Sequence, residues 1–327
     1  MITRETTSVS LRRDLSQTAN EFADGRAAQR FIARQVAPIA RVAETEGRYP
    51  VWCRENFKKR PTQTNRASGA GYERIGAQFN QLTYACEEHG LEFPLDDRNS
   101  RKYTTWLDFE QYAARVLRFQ LLQEWEIRGA TLFNSGIGLT NTNVATAWSD
   151  TANADPVTDI IKRCEAIEQN SGVDRSEHVV VIPSVDYREA MATDAVRELI
   201  KYTYGRDAGI QPQLLRTDDF ARMVGVRRVL RASSYYDSAQ EGITESNAAI
   251  WTAGVIFVAV VADEGDPLDI MSAARTMLYD QDGVTDIPLM ERYRDESVRS
   301  EILRGREDTD EVATAAADLL AQKLTNT

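Results

Sequence analysis

Few residues in this chain have the types and spacing that chemistry requires. Cys86 and His89 stand at C-x-x-H spacing, and Cys53 lies on a segment that can face them. A structural zinc site generally takes four protein ligands, and the whole chain holds 3 cysteines and 2 histidines. No metal site is expected there, and a Cys53–Cys86 disulfide requires oxidising conditions. The glycines of ASGAGYERIG mimic a dinucleotide-binding turn but lack the strand before and the helix after that give such a turn its function. His178 has no nucleophilic partner nearby in sequence, which points to a structural or exposed role. DEGDPLD (263–269) and DQDGVTD (280–286) have the composition of calcium loops without the terminal Glu of the twelve-residue pattern, so both read as solvated turns. No Walker loop, G-x-S-x-G elbow, H-E-x-x-H or C-x-x-C occurs. Carboxylates are abundant, yet nothing singles out the pair that glycosidase chemistry needs. No catalytic, cofactor-binding or metal-ligating residue is assigned.

The elements are more telling than the side chains. From Leu107 to Phe133, Phe109, Tyr112, Val116, Phe119 and Leu122 recur at helical spacing, and Ala113, Leu117, Leu121 and Trp125 widen the stripe. This predicts one long helix, with Gly129 placed to close it. Before it, YPVWCRENF and QLTYACEEHGLEF read as two strands. The Gly-, Pro- and Ser-rich segment between them reads as a basic loop. A turn near Gly69 and Ala70 would set Cys53 opposite Cys86. An isolated hairpin is marginal in water, so this one needs a support, most simply another subunit. Trp52, Trp106 and Trp125 are read as core or interface anchors.

After the long helix the pattern becomes α/β. Asp155-Pro156 has the form of a capped helix start. Val157, Ile160, Ile161, Cys164 and Ile167 follow on one face, and Gly172 ends the helix. HVVVIP (178–183) reads as a buried strand, and Ser184 opens a helical region that continues through DAVRELIKYTY. TDDFARMVGV leads as a helix into the strand RRVLRAS. AAIWTAGVIFVAVVA (248–262) is the most apolar strand candidate, and a long strand around ESVRSEILRG is expected to rejoin the domain of the long helix. Together these predict a mixed sheet flanked by helices.

Composition narrows the class. The 327 residues are 42% hydrophobic and 27% charged, enough for a large core. The net charge of -11 is the opposite of what a nucleic-acid gripping protein shows. The charge is uneven: residues 1–60 carry 12 Lys and Arg against 7 Asp and Glu, while 263–327 carry 7 against 16. Either these are two solvated surfaces, or the first is an arm laid across an acidic neighbour. No apolar run reaches the length of a membrane span, and the N-terminus lacks the apolar core of a signal peptide. Three cysteines fit a reducing compartment.

Several segments then carry a resemblance when taken in order. These are FIARQVAPIARVAETEGRYPVW, F-K-K-R, ASGAGYERIG, LTYACEEHGLEFPLDDR, the long helix with an internal Glu (Glu124 or Glu126), and Trp148-Ser149-Asp150 with ADPVTDI. HVVVIPSVDYREAM, DDFARMVGVRRVL and AAIWTAGVIFVAVV follow. From about Phe31 to the C-terminus the chain resembles tailed-bacteriophage major capsid proteins. That resemblance implies the α+β Hong Kong 97-type fold. It implies an N-terminal arm (1–48), an extended hairpin loop (49–104) and a peripheral domain with a spine helix (105–150). An axial domain (151–265) and a return to the peripheral sheet (266–327) would complete the chain. It further implies hexamers and pentamers of an icosahedral shell around double-stranded DNA, made in a host bacterial cytoplasm and ending in the virion. A separate scaffolding protein, a portal and decoration proteins would be the partners, with no membrane and no cofactor. Some family members cross-link through a loop Lys; Lys58 and Lys59 lie in that loop, but no motif identifies an Asn partner. The alternatives are an encapsulin-type compartment shell and a carboxylate-dependent enzyme with a helical lid.

Overall fold

The long helix forms where the apolar period placed it, over Phe109–Thr131. Asp108 caps it by accepting from the Gln111 N–H at 3.2 Å, and Glu110 sets an acidic charge in the first turn. With 23 residues it runs for about 35 Å. In this computed structural model the described residues are 10–12, 14–17, 30–51, 64–66, 68–72, 74, 76, 80–98, 108–204, 216–239, 242–268, 270–280 and 288–326.

Two expectations about the helix are corrected. Its buried face centres on Ala113, Leu117, Leu121 and Trp125, while Tyr112 is exposed and Phe109, Val116 and Phe119 are only half-buried. Phe109 packs edge-on against Phe93 and Phe119 against Phe31, which leaves Tyr112 as the stripe residue in solvent. Gly129 does not end the helix, which continues to Thr131 and then through a π-helical turn, Leu132–Gly136. A Cβ on Gly129 would stand 2.8 Å from the Ala33 Cβ, so the glycine lets the N-terminal segment lie against the helix. Gly129→Val is therefore expected to cost about 2–3 kcal/mol by overpacking, read as a lowered denaturant midpoint. A variant as stable as the parent would show that the two segments separate freely.

The strands are β1 (Ser10–Leu11), β2 (Ile39–Val42), β3 (Glu46–Val51), β4 (Asn80–Ala85), β5 (Glu87–Asp96) and β6 (Asn141–Asn143). The second half adds β7 (His178–Pro183), β8 (Arg228–Ala232), β9 (Tyr235–Asp237), β10 (Asn247–Ala249) and β11 (Val255–Val260). β12 (Ala274–Tyr279), β13 (Leu289–Asp295), β14 (Ser300–Ala313) and β15 (Ala321–Thr325) complete them. One sheet runs β1-β13-β14-β12-β2, with β5 also paired to β14. β14 is its axis: it pairs antiparallel with β5 from Ser300–Asp96 to Thr309–Glu87, and with β13 and then β12. The long helix packs on β14 and β5. Ala113, Ala114 and Leu117 meet Leu95, Met290 and Leu303 in one apolar cluster. Each large side chain buried there contributes about 1.5–3 kcal/mol. Gly305 permits the close approach, since a Cβ there would meet Met290 Sδ at 3.2 Å and Leu121 Cδ1 at 3.3 Å.

The second sheet runs β6-β15-β11-β7-β8 and is mixed: β7 is parallel to β8, β15 is parallel to β6, and the other pairs are antiparallel. All six residues of β7 are buried, as a strand paired on both edges in a helix-covered sheet should be. Pro156–Ser171 packs on β15 and β11, and Ser184–Ala192 on β7 and β8. The Pro156 helix is capped by Asp155, whose side chain accepts from Thr158 N–H, and ends at Gly172 with φ 79°. Thr217–Val224 ends at Gly225 and feeds β8, as expected.

Three further expectations are corrected. QLTYACEEHGLEF is not one strand: it breaks at Cys86 into β4, which pairs with β3, and β5, which joins the sheet under the helix. The β3–β4 register, Glu46–Ala85 to Val51–Asn80, puts Cys86 beside Thr45, whose carbonyl accepts the Cys86 N–H at 2.8 Å. Cys86 thus lies at the root of the hairpin; Cys53, expected opposite it, falls outside the described residues. AAIWTAGVIFVAVVA is likewise two pieces, because Gly254 at φ 79° turns the chain between β10 and β11. Finally, β14 does rejoin the sheet of the long helix, but the chain then leaves it, and β15 pairs with β11 in the second sheet.

Candidate functional site

A stripe that should be wholly apolar carries two charges, Arg118 and Glu126, both on the buried face of the long helix. Burial of a carboxylate demands that its oxygens be satisfied, and those of Glu126 are. Oε2 accepts the Ile32 N–H at 2.8 Å and the Ala33 N–H at 2.7 Å, donors at the start of the short helix Ala33–Val36 that have no partner in their own turn. Oε1 accepts the Trp251 indole N–H at 2.5 Å and the Ser234 hydroxyl at 3.2 Å. Ser234 follows β8 and Trp251 follows β10. One side chain therefore ties the N-terminal segment, the long helix and the second sheet together. Burial pushes the Glu126 carboxyl up, and the donors Trp251, Ala33, Ile32 and Ser234 pull it back.

A second charged group joins the long helix to β14. Glu307 on β14 has a fully buried side chain, 3.7 Å from Arg118 Nη1 and 3.5 Å from Arg128 Nη2. Arg128 also donates to Glu311 at 2.9 Å and to Thr309 at 3.1 Å. These contacts fix the rotation of the helix on the sheet, since turning it would strand a buried charge.

Part of the uneven charge of the sequence is answered within the chain. Arg34 pairs with Glu264, Arg41 with Asp280 at 3.1 Å, and Arg12 with Glu110 at 3.2 Å. The described part of DEGDPLD, 263–268, is a turn held to arginines: Asp263 takes Arg227 at 2.7 Å, and its N–H donates to Asp266 at 2.9 Å. Of DQDGVTD only Asp280 is among the described residues. The hairpin root rests on β12 and β14, where Tyr49 and Tyr84 pack with Met277 and Val312, and Tyr49 Oη donates to the Ala313 carbonyl at 2.9 Å.

The residues that first suggested chemistry do not converge. Cys86 is half-buried, its thiol pushed up to about 11 mainly by burial and then by Asp310. Cys164 is a core residue on the Pro156 helix, pushed up to about 12 by burial. His178 is buried at the start of β7, and burial holds its pKa down. Trp125 is core, while Trp52, Trp106, Lys58 and Lys59 lie outside the described residues. Among the described residues no three His, Cys, Asp or Glu side chains gather as metal ligands, and no helix is long and apolar enough to cross a membrane. Sequence reasoning named Glu126 only as one of two choices and missed Arg118 and Glu307. The available signal was the pair of charges eight residues apart inside an apolar helical stripe.

The comparisons with known proteins follow the same direction. No family model matches the chain. It is 24% identical over 238 residues to the major capsid protein of Burkholderia phage BcepMu, covering 72% of this chain and 73% of that one. Its structure superposes on that of a phage-related protein from Bordetella bronchiseptica with a TM-score of 0.72, 18% identity and 98% of each chain covered. It superposes on the capsid structure of cyanophage P-SCSP1u with a TM-score of 0.59 and 11% identity, over 89% of this chain and 86% of the other. The fold is shared with phage capsid proteins, and the expected resemblance to tailed-phage major capsid proteins is borne out. The BcepMu and cyanophage relatives are capsid proteins, structural proteins and not enzymes.

Proposed function

We propose that this chain is the shell-forming subunit of a tailed-phage head, assembling as hexamers and pentamers into a closed icosahedral container for double-stranded DNA. The likeness to the BcepMu major capsid protein over most of both chains carries this reading. The geometry supports it. A two-stranded ribbon, β3–β4, is hydrogen-bonded into neither sheet and rests on β12 and β14 through Tyr49, Val51 and Tyr84, and such a ribbon is marginal in water without a partner surface. In a shell that surface is the neighbouring subunit. The sheet of β14 with its long helix then serves as the peripheral domain, and the β7–β11 sheet as the axial one. Modest contacts suffice, because each is repeated around a closed particle. The net charge of -11 keeps packaged duplex from adhering to the wall, since adhesion scales with phosphates neutralised by Lys and Arg. A separate scaffolding protein and a portal complete the assembly, with decoration proteins outside.

The test is to purify particles containing this chain from cells that also express its neighbouring genes, treat them with nuclease, and identify what they enclose. Protected double-stranded DNA is expected. Particles filled with one protein and no DNA would move the assignment to a compartment shell.

A further inference from the structure

A cavity of about 500 Å³ opens between the N-terminal segment, the long helix and β8, a size that suits a small ligand. Phe31, Pro38, Leu122 and Ala262 supply apolar walls, and Trp125 and Arg228 also line it. The acceptors at its edge are already engaged: Glu126 takes four donors, both oxygens of Asp263 take Arg227, and Glu264 takes Arg34. The donors are not. Trp125 is 1% exposed, and its indole N–H has no partner among the described residues. Arg228 Nε is also buried without one. The guanidinium reaches only the Gln35 carbonyl at 3.0 Å, and among the described residues it makes no ion pair. Burial and then the neighbouring Arg227 lower its pKa, against a smaller upward pull from Asp263. Buried indole N–H and guanidinium groups normally find acceptors.

We propose that this cavity binds a carboxylate carried on an apolar body. The carboxylate accepts from Trp125 Nε1 and Arg228 Nε, and the body fills the space between Phe31 and Leu122. One negative charge suits the site better than two, because Asp263 and Glu264 stand at its edge. The carboxylate belongs either to a free small acid or to an Asp or Glu side chain flanked by an apolar residue in another polypeptide.

Calorimetric titration of the purified chain with hexanoate tests this, with hexylammonium and formate as controls for charge and for body. Saturable binding of hexanoate at one site is expected, at least tenfold weaker in Arg228→Gln and several-fold weaker in Trp125→Phe, with both controls much weaker. Arg228→Gln keeps a donor for the Gln35 carbonyl, and Trp125→Phe keeps a ring in the core, so near-ultraviolet circular dichroism should report both folded. In a parallel arm, acetyl-Phe-Asp-amide binding tighter than hexanoate, and than acetyl-Phe-Asn-amide, assigns the site to a polypeptide partner. The reverse order assigns it to a free acid. Failure of both hexanoate and the Asp peptide to bind, or binding unchanged in both variants, overturns the proposal.

Discussion

Glu126→Ala is expected to destabilise the chain by about 3–5 kcal/mol and to loosen the N-terminal segment first. The substitution removes the acceptor for two backbone N–H groups, an indole and a hydroxyl at once. Each buried donor left unmatched costs about 1–3 kcal/mol, and relief from burying a carboxylate offsets part of the sum. The local signature separates this from an ordinary core defect. Hydrogen exchange at the Ile32 and Ala33 amides should accelerate well beyond that of β7 or β11, because those two protons lose their acceptor directly. Equal acceleration across both sheets would mean that Glu126 is a packing residue and not a tie between segments.

Glu307→Leu carries the second large effect, an expected loss of about 3–5 kcal/mol, because Arg118 stays buried after losing its carboxylate. The companion change should repair most of it. In Arg118→Met/Glu307→Leu both charges give way to apolar groups of similar length, and replacing a buried pair this way is near neutral. Arg128 keeps Glu311 and Thr309 in either background. Denaturant midpoints for the two single variants and the double variant give the coupling directly. A double variant as unstable as the sum of the singles would show that Arg118 and Glu307 do not act as a pair.

Local signals in the sequence located most elements, and long-range ones remained hidden. The Asp155-Pro156 start and the Gly172 stop of one helix are local chemistry, legible in the residues themselves, and both hold to the residue. The long helix was legible from its period, but its orientation was not. Tyr112 belongs to the apolar stripe by spacing and lies in solvent, because the β5–β14 surface decides which edge is covered. Gly129 looked like a stop signal for the same reason, since its role depends on Ala33, which lies far along the chain. The hairpin register was misjudged because glycines mark where a chain can turn, while cross-strand pairs decide where it does. Cys86 therefore falls beside Thr45. The junction at Glu126 draws on residues 32, 33, 234 and 251, a separation no periodicity reports. Only the resemblance pointed near it, through an internal Glu on the long helix.

The proposed shell requires that this chain be completed by copies of itself. Expressing it alone, then examining it by sedimentation and negative-stain microscopy, tests that claim most directly. Closed shells, tubes, or discrete hexamers and pentamers are the predicted result. A uniform monomer or dimer at every concentration, with or without the neighbouring gene products, would contradict it.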